Sequence, residues 1–116
     1  MGDGWETRRR RSPGHDWVVL RLGKRGVVEH VDLDTTHFKG NFPESASLEG
    51  CDVAGRGAPP DDAPWRELVA RTTLRANARH RLAVPPGRRD PLTHVRLNIF
   101  PDGGVARLRV WGRVLP

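Results

Sequence analysis

The sequence predicts an all-β protein with the architecture of a β-sandwich or jelly roll, and three observations lead to this fold class. Apolar and polar residues alternate in several short runs, as they do in strands that bury one face. A short apolar run, Trp17–Leu22, closes at Gly23 and suits a strand buried on both faces. Segments rich in Gly, Pro and Asp separate the runs, which is typical of sandwiches and jelly rolls.

The second predicted strand, Val27–Asp34, alternates in polarity. We expect the core-facing side to consist of Val27, Glu29, Val31 and Leu33. The more polar set, which we expect on the partly exposed side, is Val28, His30, Asp32 and Asp34. The intervening Lys24-Arg25-Gly26 is predicted to be a hairpin turn.

The middle of the chain offers a third strand at Ser45–Val53, followed by a loop over residues 54–64. The run Trp65–Val69 fits two alternatives, one helical turn capped by Asp62 or a strand. Residues 79–84 are predicted to be a strand that Pro85-Pro86-Gly87 ends.

The last third of the chain has the cleanest alternation. In Thr93–Phe100 we expect one side of the strand to face inward and the other outward. The inward set is Val95, Leu97 and Ile99, and the outward set is His94, Arg96 and Asn98. Pro101-Asp102-Gly103-Gly104 predicts a turn into a terminal strand at Val105–Val114.

Length and composition favour one domain over residues 1–116 with a modest core, since 36% of the residues are apolar. No run approaches the roughly 18 apolar residues of a membrane span, and the first residues show no secretory signal. Cys51 is the single cysteine, so no internal disulfide is expected and a cytoplasmic location follows as the default. We therefore expect no membrane partner.

The net charge is +6, and almost all the positive charge is arginine. Basic chains can bind nucleic acid or anionic small molecules. Acids and bases are interspersed here, except in the run Arg8–Arg11. No basic strand is interleaved with aromatic residues and no recognition-helix pattern occurs, so we expect no nucleic-acid partner.

The segment Asp34–Ser45 is the most informative part of the chain. It contains an imidazole at His37, an ammonium group at Lys39, an amide at Asn41 and a carboxylate at Glu44, together with hydroxyl groups and two phenylalanines. Surface loops seldom combine paired aromatic residues with this range of chemistry. The sequence therefore predicts a functional site where this segment leaves a strand.

Three long segments resemble the signatures of the allantoicase repeat, in the same order and spacing. They are Gly2–Arg11 continued through Pro13–Trp17, Asp34–Ser45, and Thr93–Gly112. The resemblance implies a galactose-binding-domain-like jelly-roll sandwich. It also implies an enzyme of purine (allantoin) catabolism, the hydrolase that converts allantoate to ureidoglycolate and urea.

Subunits of that family are built from two similar repeats, and this chain corresponds to one of them. We expect it to be the C-terminal repeat without its first strands, so that residues 1–116 form a single incomplete repeat domain. Whether such a repeat is active by itself stays open. The alternative function is a non-catalytic module on the same sandwich that binds a small ligand.

Allantoate carries one carboxylate and two ureido groups, and this chemistry suggests substrate-binding residues. Arg96 is the first candidate for pairing with the carboxylate, and Arg8, beside Trp5, is the second. Lys39 and Asn41 can hydrogen-bond the ureido oxygens or a developing charge. Each of these cations could instead be an ordinary solvated residue, and Trp5 could simply pack.

Four residues are candidates for the catalytic chemistry. His37 and His94 can act as acid and base because an imidazole titrates near neutral pH. Glu6 and Glu44 can activate water, although Glu44 also suits a turn after Pro43. Which of the four is the general base stays open.

We expect no cofactor, with a divalent metal as the alternative. No CxxC or HExxH motif occurs, and a metal would need scattered ligands such as Asp34, His37, Glu44 and His94. Cys51 lies in an apolar strand-like run and is not expected to be a nucleophile. The expected partners are a small ureido acid and a second protein unit, either another copy of the chain or a separate repeat.

Overall fold

A computed structural model of the chain describes residues 6–12, 15–35, 44–54, 58–100 and 107–114, and for residues 6–12, 15, 16 and 107 the backbone path alone. The described residues form seven strands and a single 3-10 turn, with no α-helix among them, which confirms the all-β prediction. The strands are β1 (Glu6–Ser12), β2 (His15–Asp34), β3 (Ser45–Cys51), β4 (Arg66–Thr73), β5 (Arg79–Ala83), β6 (Leu92–Phe100) and β7 (Arg107–Val114), and the 3-10 turn is Pro86–Arg88.

Two groups of antiparallel strands share the long strand β2. The first group has the order β1-β2-β6-β3-β4 and uses the N-terminal half of β2. In the second group, β5 and β7 pair with the C-terminal half of β2. The long strand therefore belongs to both groups, and the apolar side chains of the two groups meet in one core.

The predicted hairpin turn at Lys24-Arg25-Gly26 is wrong, because β2 continues through it for 20 residues. At this point β2 changes partners: Gly26 lies opposite Leu92 of β6 and also opposite Val114 of β7, after a register shift that follows Arg21. A Cβ atom on Gly26 would lie 2.5 Å from the carbonyl oxygen of Arg113. Only glycine permits this close approach of two strands.

The predicted faces of Val27–Asp34 are partly wrong. Val31 and Leu33 are fully buried, as expected, but Val28 is also buried although the alternation had placed it on the other side. The register between β2 and β7 shifts between Val28 and His30. This bulge adds one residue to β2 and exchanges the faces on its N-terminal side.

The core is continuous across both strand groups. Val95, Leu97 and Ile99 of β6 face it, as predicted. The expected exposure of the other side of β6 is wrong, since His94 and Asn98 are also buried. Strand β6 is central, between β2 and β3, and large or polar side chains from its neighbours also pack on its second face, such as Trp17 beside Arg96 and Glu49 on Asn98. The remaining core is made mainly of Leu20, Val28, Val31, Leu33, Leu48, Leu68, Leu82, Val84, Leu92 and Val110.

Several other segments agree with the sequence. The strands predicted at Ser45–Val53 and 79–84 correspond to β3 and β5, and the run after Trp65 is a strand rather than a helical turn. The predicted turn at 101–104 lies outside the described residues. Among the residues that the structure describes, no helix has the length and apolar character needed to cross a membrane.

Candidate functional site

A groove lies on the side of β6 that faces away from Val95, Leu97 and Ile99, and the strand register explains its polarity. Asn98 of β6 lies between Trp17 of β2 and Ser47 of β3, and in the next row Arg96 lies opposite Glu49 of β3. Residues in register share a face, so their polar ends converge. The groove has a volume of about 470 Å³, and its lining consists of Trp17, Ser47, Glu49, Glu67, Arg96, Asn98 and Phe100.

Glu49 is the centre of the polar cluster in this groove. Its Oε1 atom accepts a hydrogen bond from Arg96 Nε at 3.0 Å and lies 2.9 Å from Arg96 Nη2. The same oxygen accepts a hydrogen bond from Asn98 Nδ2 at 2.7 Å, and Asn98 Nδ2 also lies 3.3 Å from Ser47 Oγ. One carboxylate oxygen is thus held by two neighbouring side chains, which fixes the orientation of Glu49.

Two tryptophans hold the guanidinium of Arg96. It lies 4.4 Å from the ring centroid of Trp65 and 5.8 Å from that of Trp17. Trp17 belongs to β2, whereas Trp65 precedes β4, and its backbone N–H donates to the carbonyl of Ala63 at 2.8 Å. Stacking on aromatic faces and pairing with Glu49 together keep Arg96 over the floor of the groove.

A second arginine lies at the end of the groove formed by Phe100. The guanidinium of Arg71, from β4, is 4.2 Å from the centroid of the Phe100 ring. Its Nε donates a hydrogen bond to Ser45 Oγ at 2.6 Å. Arg71 is an exposed residue, and among the described residues its Nη groups have no hydrogen-bond partner.

The segment between β2 and β3 is anchored at both ends. At one end Thr35, which is fully buried, exchanges hydrogen bonds with the backbone of Arg75 and Ala78 at 2.7 to 3.1 Å. At the other end the Glu44 N–H donates to the carbonyl of Phe100 at 2.8 Å. The second anchor fixes the end of the segment beside the Phe100 end of the groove.

The predicted site residues of that segment, His37, Lys39 and Asn41, lie outside the described residues, as does Trp5. Glu44 is described and exposed. Its backbone N–H and its carbonyl both form hydrogen bonds, because the carbonyl accepts from the Leu74 N–H at 2.9 Å. The anchoring therefore determines where the segment begins and ends relative to the groove.

The predicted residues of β1 lie in register with the site. The Cα atom of Arg8 is opposite Val19, whose other neighbour is Arg96. The Cα atom of Glu6 is opposite Arg21, whose other neighbour is His94. Arg8 thus lies in the same row as Arg96, and Glu6 lies in the same row as His94. Both residues of β6 were predicted to belong to the site.

His94 lies on β6 near Arg96, as predicted, but its side chain is buried, whereas the prediction placed it on the exposed side of the strand. It is two residues from Arg96 on β6, yet only 1% of its surface is exposed. Its Nδ1 lies 2.8 Å from Thr93 Oγ1, and across the sheet it lies between Arg21 and Cys51. Cys51 is also only 1% exposed, so this end of the row is closed to solvent, and burial raises the pKa of its thiol to about 11, which makes the thiol inert.

Sequence analysis missed Glu49, Ser47, Trp65 and Arg71. For β3 the signal was present, because Ser45, Ser47 and Glu49 alternate with Ala46 and Leu48 and so place three polar groups on one face. No comparable signal existed for Trp65 and Arg71. Their contacts depend on the pairing of β4 with β3. Local periodicity does not predict pairing between strands that are distant in the sequence.

A smaller depression of about 270 Å³ lies on the outer face of the second strand group. We call its charged residues the arginine–aspartate ladder, namely Asp32, Asp34, Arg79, Arg81 and Arg109. Burial acts to raise the pKa of Asp32, but hydrogen bonds from Arg81 Nε at 3.1 Å and Trp111 Nε1 at 2.9 Å outweigh it. The pKa of Asp32 is therefore lowered.

The described part of the chain contains no group of three or more His, Cys, Asp or Glu side chains arranged to hold a metal ion. Three of the four residues that the sequence suggested as scattered ligands, Asp34, Glu44 and His94, are described and do not form such a group. The fourth, His37, is not described, so the cofactor prediction stays a prediction.

The fold and the groove define a galactose-binding-like jelly-roll sandwich with a small polar depression on one sheet. The F5/8 type C domain of a Bacteroides fragilis protein has the same fold, with a TM-score of 0.70, 13% identity, and coverage of 97% of this chain and 93% of that one. The family model of the allantoicase repeat matches residues 1–115. The chain therefore belongs to the allantoicase repeat family.

Individual relatives agree with this assignment. The chain is 50% identical to the "Probable allantoicase" of Rhizobium meliloti over 121 aligned residues, which cover 98% of this chain and 36% of that protein. The crystal structure of allantoicase from Saccharomyces cerevisiae is similar with a TM-score of 0.72 and 40% identity, over 95% of this chain and 31% of that one. The chain thus spans about a third of the length of the relatives that it matches.

Proposed function

We propose that the groove around Glu49 and Arg96 is a site for the hydrolysis of allantoate to ureidoglycolate and urea. Membership of the allantoicase repeat family supplies the reaction. The observation that carries the assignment of the site is the polar cluster on Glu49 Oε1, held by Arg96 and Asn98 beside two tryptophans. An oriented carboxylate, an amide and hydroxyl groups match the donors and acceptors of a ureido acid.

In this reaction a water oxygen bonds to the carbon that carries the carboxylate and the two ureido groups. The bond from that carbon to one ureido nitrogen breaks, and the nitrogen takes up a proton and leaves as urea. The site needs a base for the water and an acid for the leaving nitrogen. Glu49 is oriented for hydrogen bonding to the ureido N–H groups, and Arg96 and Asn98 keep it in place.

We assign the proton transfers to the segment that ends beside Phe100. His37 and Glu44 supply an imidazole and a carboxyl group for these transfers, and Lys39 and Asn41 can stabilise charge on the reacting atoms. Glu6 and Arg8 lie in the same strand rows as His94 and Arg96. Together with Trp5, which precedes them in the sequence, they complete the proposed set of site residues. His94 is buried, so in this proposal it positions the strand and does not touch the substrate.

The alternative function is a non-catalytic module that binds a small ureido or carboxylic acid. One observation favours it: among the described residues that line the groove, no histidine is present, and the histidine on this face of β6 is buried. The groove by itself then offers groups that bind and orient, while the acid–base groups depend on the segment over residues 36–43.

The partners and location are part of the same proposal. The relatives are about three times as long as this chain, so we propose that the active form contains a second repeat, either another copy of this chain or a separate polypeptide. A cytoplasmic location fits a chain with one cysteine and no disulfide. The proposed reaction needs no cofactor.

The deciding experiment measures urea release from allantoate by the purified chain, with circular dichroism to confirm the fold. Urea above background that is lost in His37→Ala and Arg96→Ala, both still folded, would support the proposal. Retained turnover in either variant would remove that residue from the site. A folded chain that releases no urea at any protein concentration would favour the binding module, or an active form that requires a separate repeat.

A further inference from the structure

We propose that Arg71 binds the carboxylate of the substrate and that the free oxygen of Glu49 binds a ureido group, so that the groove recognises a ureido acid at two points. This inference rests on the proposed function for the identity of the ligand. It assigns the anion-binding role to a residue that the sequence did not suggest, in place of Arg96.

Arg96 is poorly suited to hold an external anion because Glu49 already neutralises it. Two of its nitrogens, Nε and Nη2, lie 3.0 and 2.9 Å from the same Glu49 oxygen, and both side chains are only about a quarter exposed. A carboxylate ligand brought to Arg96 would also approach Glu49. Like charges at such short range repel each other, and the repulsion is strong where water is partly excluded.

Arg71 has the opposite environment. Its Nε is bonded to a neutral hydroxyl, Ser45 Oγ, and its plane lies over the ring of Phe100. Within the described residues no carboxylate forms an ion pair with it. Phe100 and Ser45 orient the guanidinium, and no described residue forms a hydrogen bond with its Nη groups, which is the arrangement that suits binding of a carboxylate.

Glu49 supplies the second point. Its Oε1 accepts the hydrogen bonds from Arg96 and Asn98, and no described side chain donates to its Oε2. A carboxylate oxygen with unused lone pairs at a partly exposed position accepts N–H groups readily. The NH and NH₂ of a ureido group are donors of this kind, whereas an acetyl group in the same place has no terminal NH₂.

The side chains that contact the two points, Asn98 for Glu49 and Phe100 for Arg71, are spaced suitably for a small ureido acid. Asn98, which holds Glu49, and Phe100, which lies under Arg71, are two residues apart on β6, or about 7 Å along the strand. The carboxylate and the terminal nitrogen of a ureido acid lie within a comparable distance of each other. A ligand in the groove can therefore reach Arg71 with one end and Glu49 with the other.

Binding of N-carbamoylglycine tests the inference without requiring turnover. This compound has one carboxylate and one ureido group, and its uncharged carboxamide and N-acetylglycine each lack one of the two. We expect chemical-shift titration of the labelled chain to show that Arg71→Gln weakens binding of N-carbamoylglycine by about 10-fold or more and leaves the carboxamide unaffected. Glu49→Gln should weaken binding of the carboxamide, whose only anchor is the ureido group, and should not weaken binding of N-acetylglycine, because the change also removes the negative charge beside Arg96.

Arg113→Gln serves as the control for the loss of one positive charge, because Arg113 is exposed on β7 in the other strand group. Ser45→Ala removes the hydroxyl that orients Arg71 and should weaken binding of N-carbamoylglycine in the same direction as Arg71→Gln. Equal affinity of Arg71→Gln and the wild type, or absence of binding to the folded wild type, would overturn the inference.

Turnover separates this inference from the proposed function. If the chain releases urea but Arg71→Gln leaves the KM for allantoate unchanged, the carboxylate assignment is wrong and the function stands. If N-carbamoylglycine binds as expected and no urea is released, the two-point recognition stands and the catalytic proposal fails for this chain without a second repeat.

Discussion

Arg96 and Glu49 face each other on neighbouring strands, and two nitrogens of Arg96 point to a single oxygen of Glu49 at 3.0 and 2.9 Å. Removing either partner leaves the other charge, on a side chain that is only about a quarter exposed, without its ion-pair partner. We expect Arg96→Gln and Glu49→Gln each to lower the free energy of unfolding by about 1–3 kcal/mol. In the double variant the effects should not add, with a coupling of about 1 kcal/mol.

Urea denaturation of the four chains in this double-mutant cycle provides the measurement. The matched control is the pair formed by Arg66 and Asp90 at 2.7 Å, whose side chains are 58% and 53% exposed. A solvent-exposed pair should couple by only a few tenths of a kcal/mol. Equal coupling in the two pairs would mean that the groove does not shelter its ion pair from water.

The lowered pKa of Asp32 makes the arginine–aspartate ladder sensitive to acid. A carboxylate whose pKa is lower in the folded than in the unfolded state stabilises the fold above the unfolded value of about 3.9, and this contribution disappears as the pH falls through the folded value. Asp32→Asn should therefore cost about 1 kcal/mol near neutral pH and progressively less below about pH 4.

Thermal denaturation as a function of pH checks this expectation. Asp61→Asn is the control, because Asp61 is exposed in a turn before β4. A difference between Asp32→Asn and the wild type that persisted unchanged at acid pH would show that packing, and not the charge, is responsible.

Gly26 is needed where β2 passes from one strand group to the other. A methyl group there would meet the Arg113 carbonyl at 2.5 Å, so Gly26→Ala should destabilise the chain by about 1–3 kcal/mol. Gly87→Ala is the matched control, because no atom lies within 4 Å of the position that its methyl group would take. It should leave the melting temperature unchanged or raise it slightly. Equal melting temperatures for both variants would refute the close approach.

Cys51 should be protected from alkylation in the folded chain. It is buried, and burial raises its pKa to about 11, so almost no thiolate is present at about pH 8. We expect iodoacetamide to label the native chain only as fast as it unfolds and to label the denatured chain promptly, as mass spectrometry would show. Rapid native labelling would mean that the His94 end of the groove is open.

The chain should associate with itself when it is expressed alone. Strands β1 and β4 end the first strand group, and among the described strands each pairs on one side only. Unpaired strand edges present backbone donors and acceptors to a second chain. Light scattering coupled to gel filtration should therefore give a mass above that of a monomer, whereas a single monomeric species over a wide concentration range would rule this out.

Local periodicity predicted most of the strands but not where the chain turns. The runs Trp17–Leu22 and Val27–Asp34 were recognised, yet the segment between them resembles a hairpin turn by composition and is extended in the structure. Lys, Arg and Gly favour turns only when tertiary pairing does not decide otherwise. The bulge near Glu29 could likewise not be predicted from the sequence pattern, because it depends on the register of β2 with β7.

The candidate site was predictable to the extent that it lies on one strand. Alternation identified Arg96 and Asn98 on the correct side of β6, but it could not identify Glu49 as their partner because strand order is a long-range property. The role expected for Arg96 as carboxylate anchor depended on its charge being available. Its partner on β3 takes up that charge, so the same residue now acts in the proposal as a positioning group.

The length of β2 ties distant parts of the protein together. This strand is hydrogen-bonded to four of the other six described strands, β1, β5, β6 and β7. If β2 detaches, strands β1, β5, β6 and β7 each lose a neighbour, so the groove and the arginine–aspartate ladder should melt as one cooperative unit. A ligand that occupies the groove would accordingly slow amide hydrogen exchange in β5 and β7, although it touches neither strand.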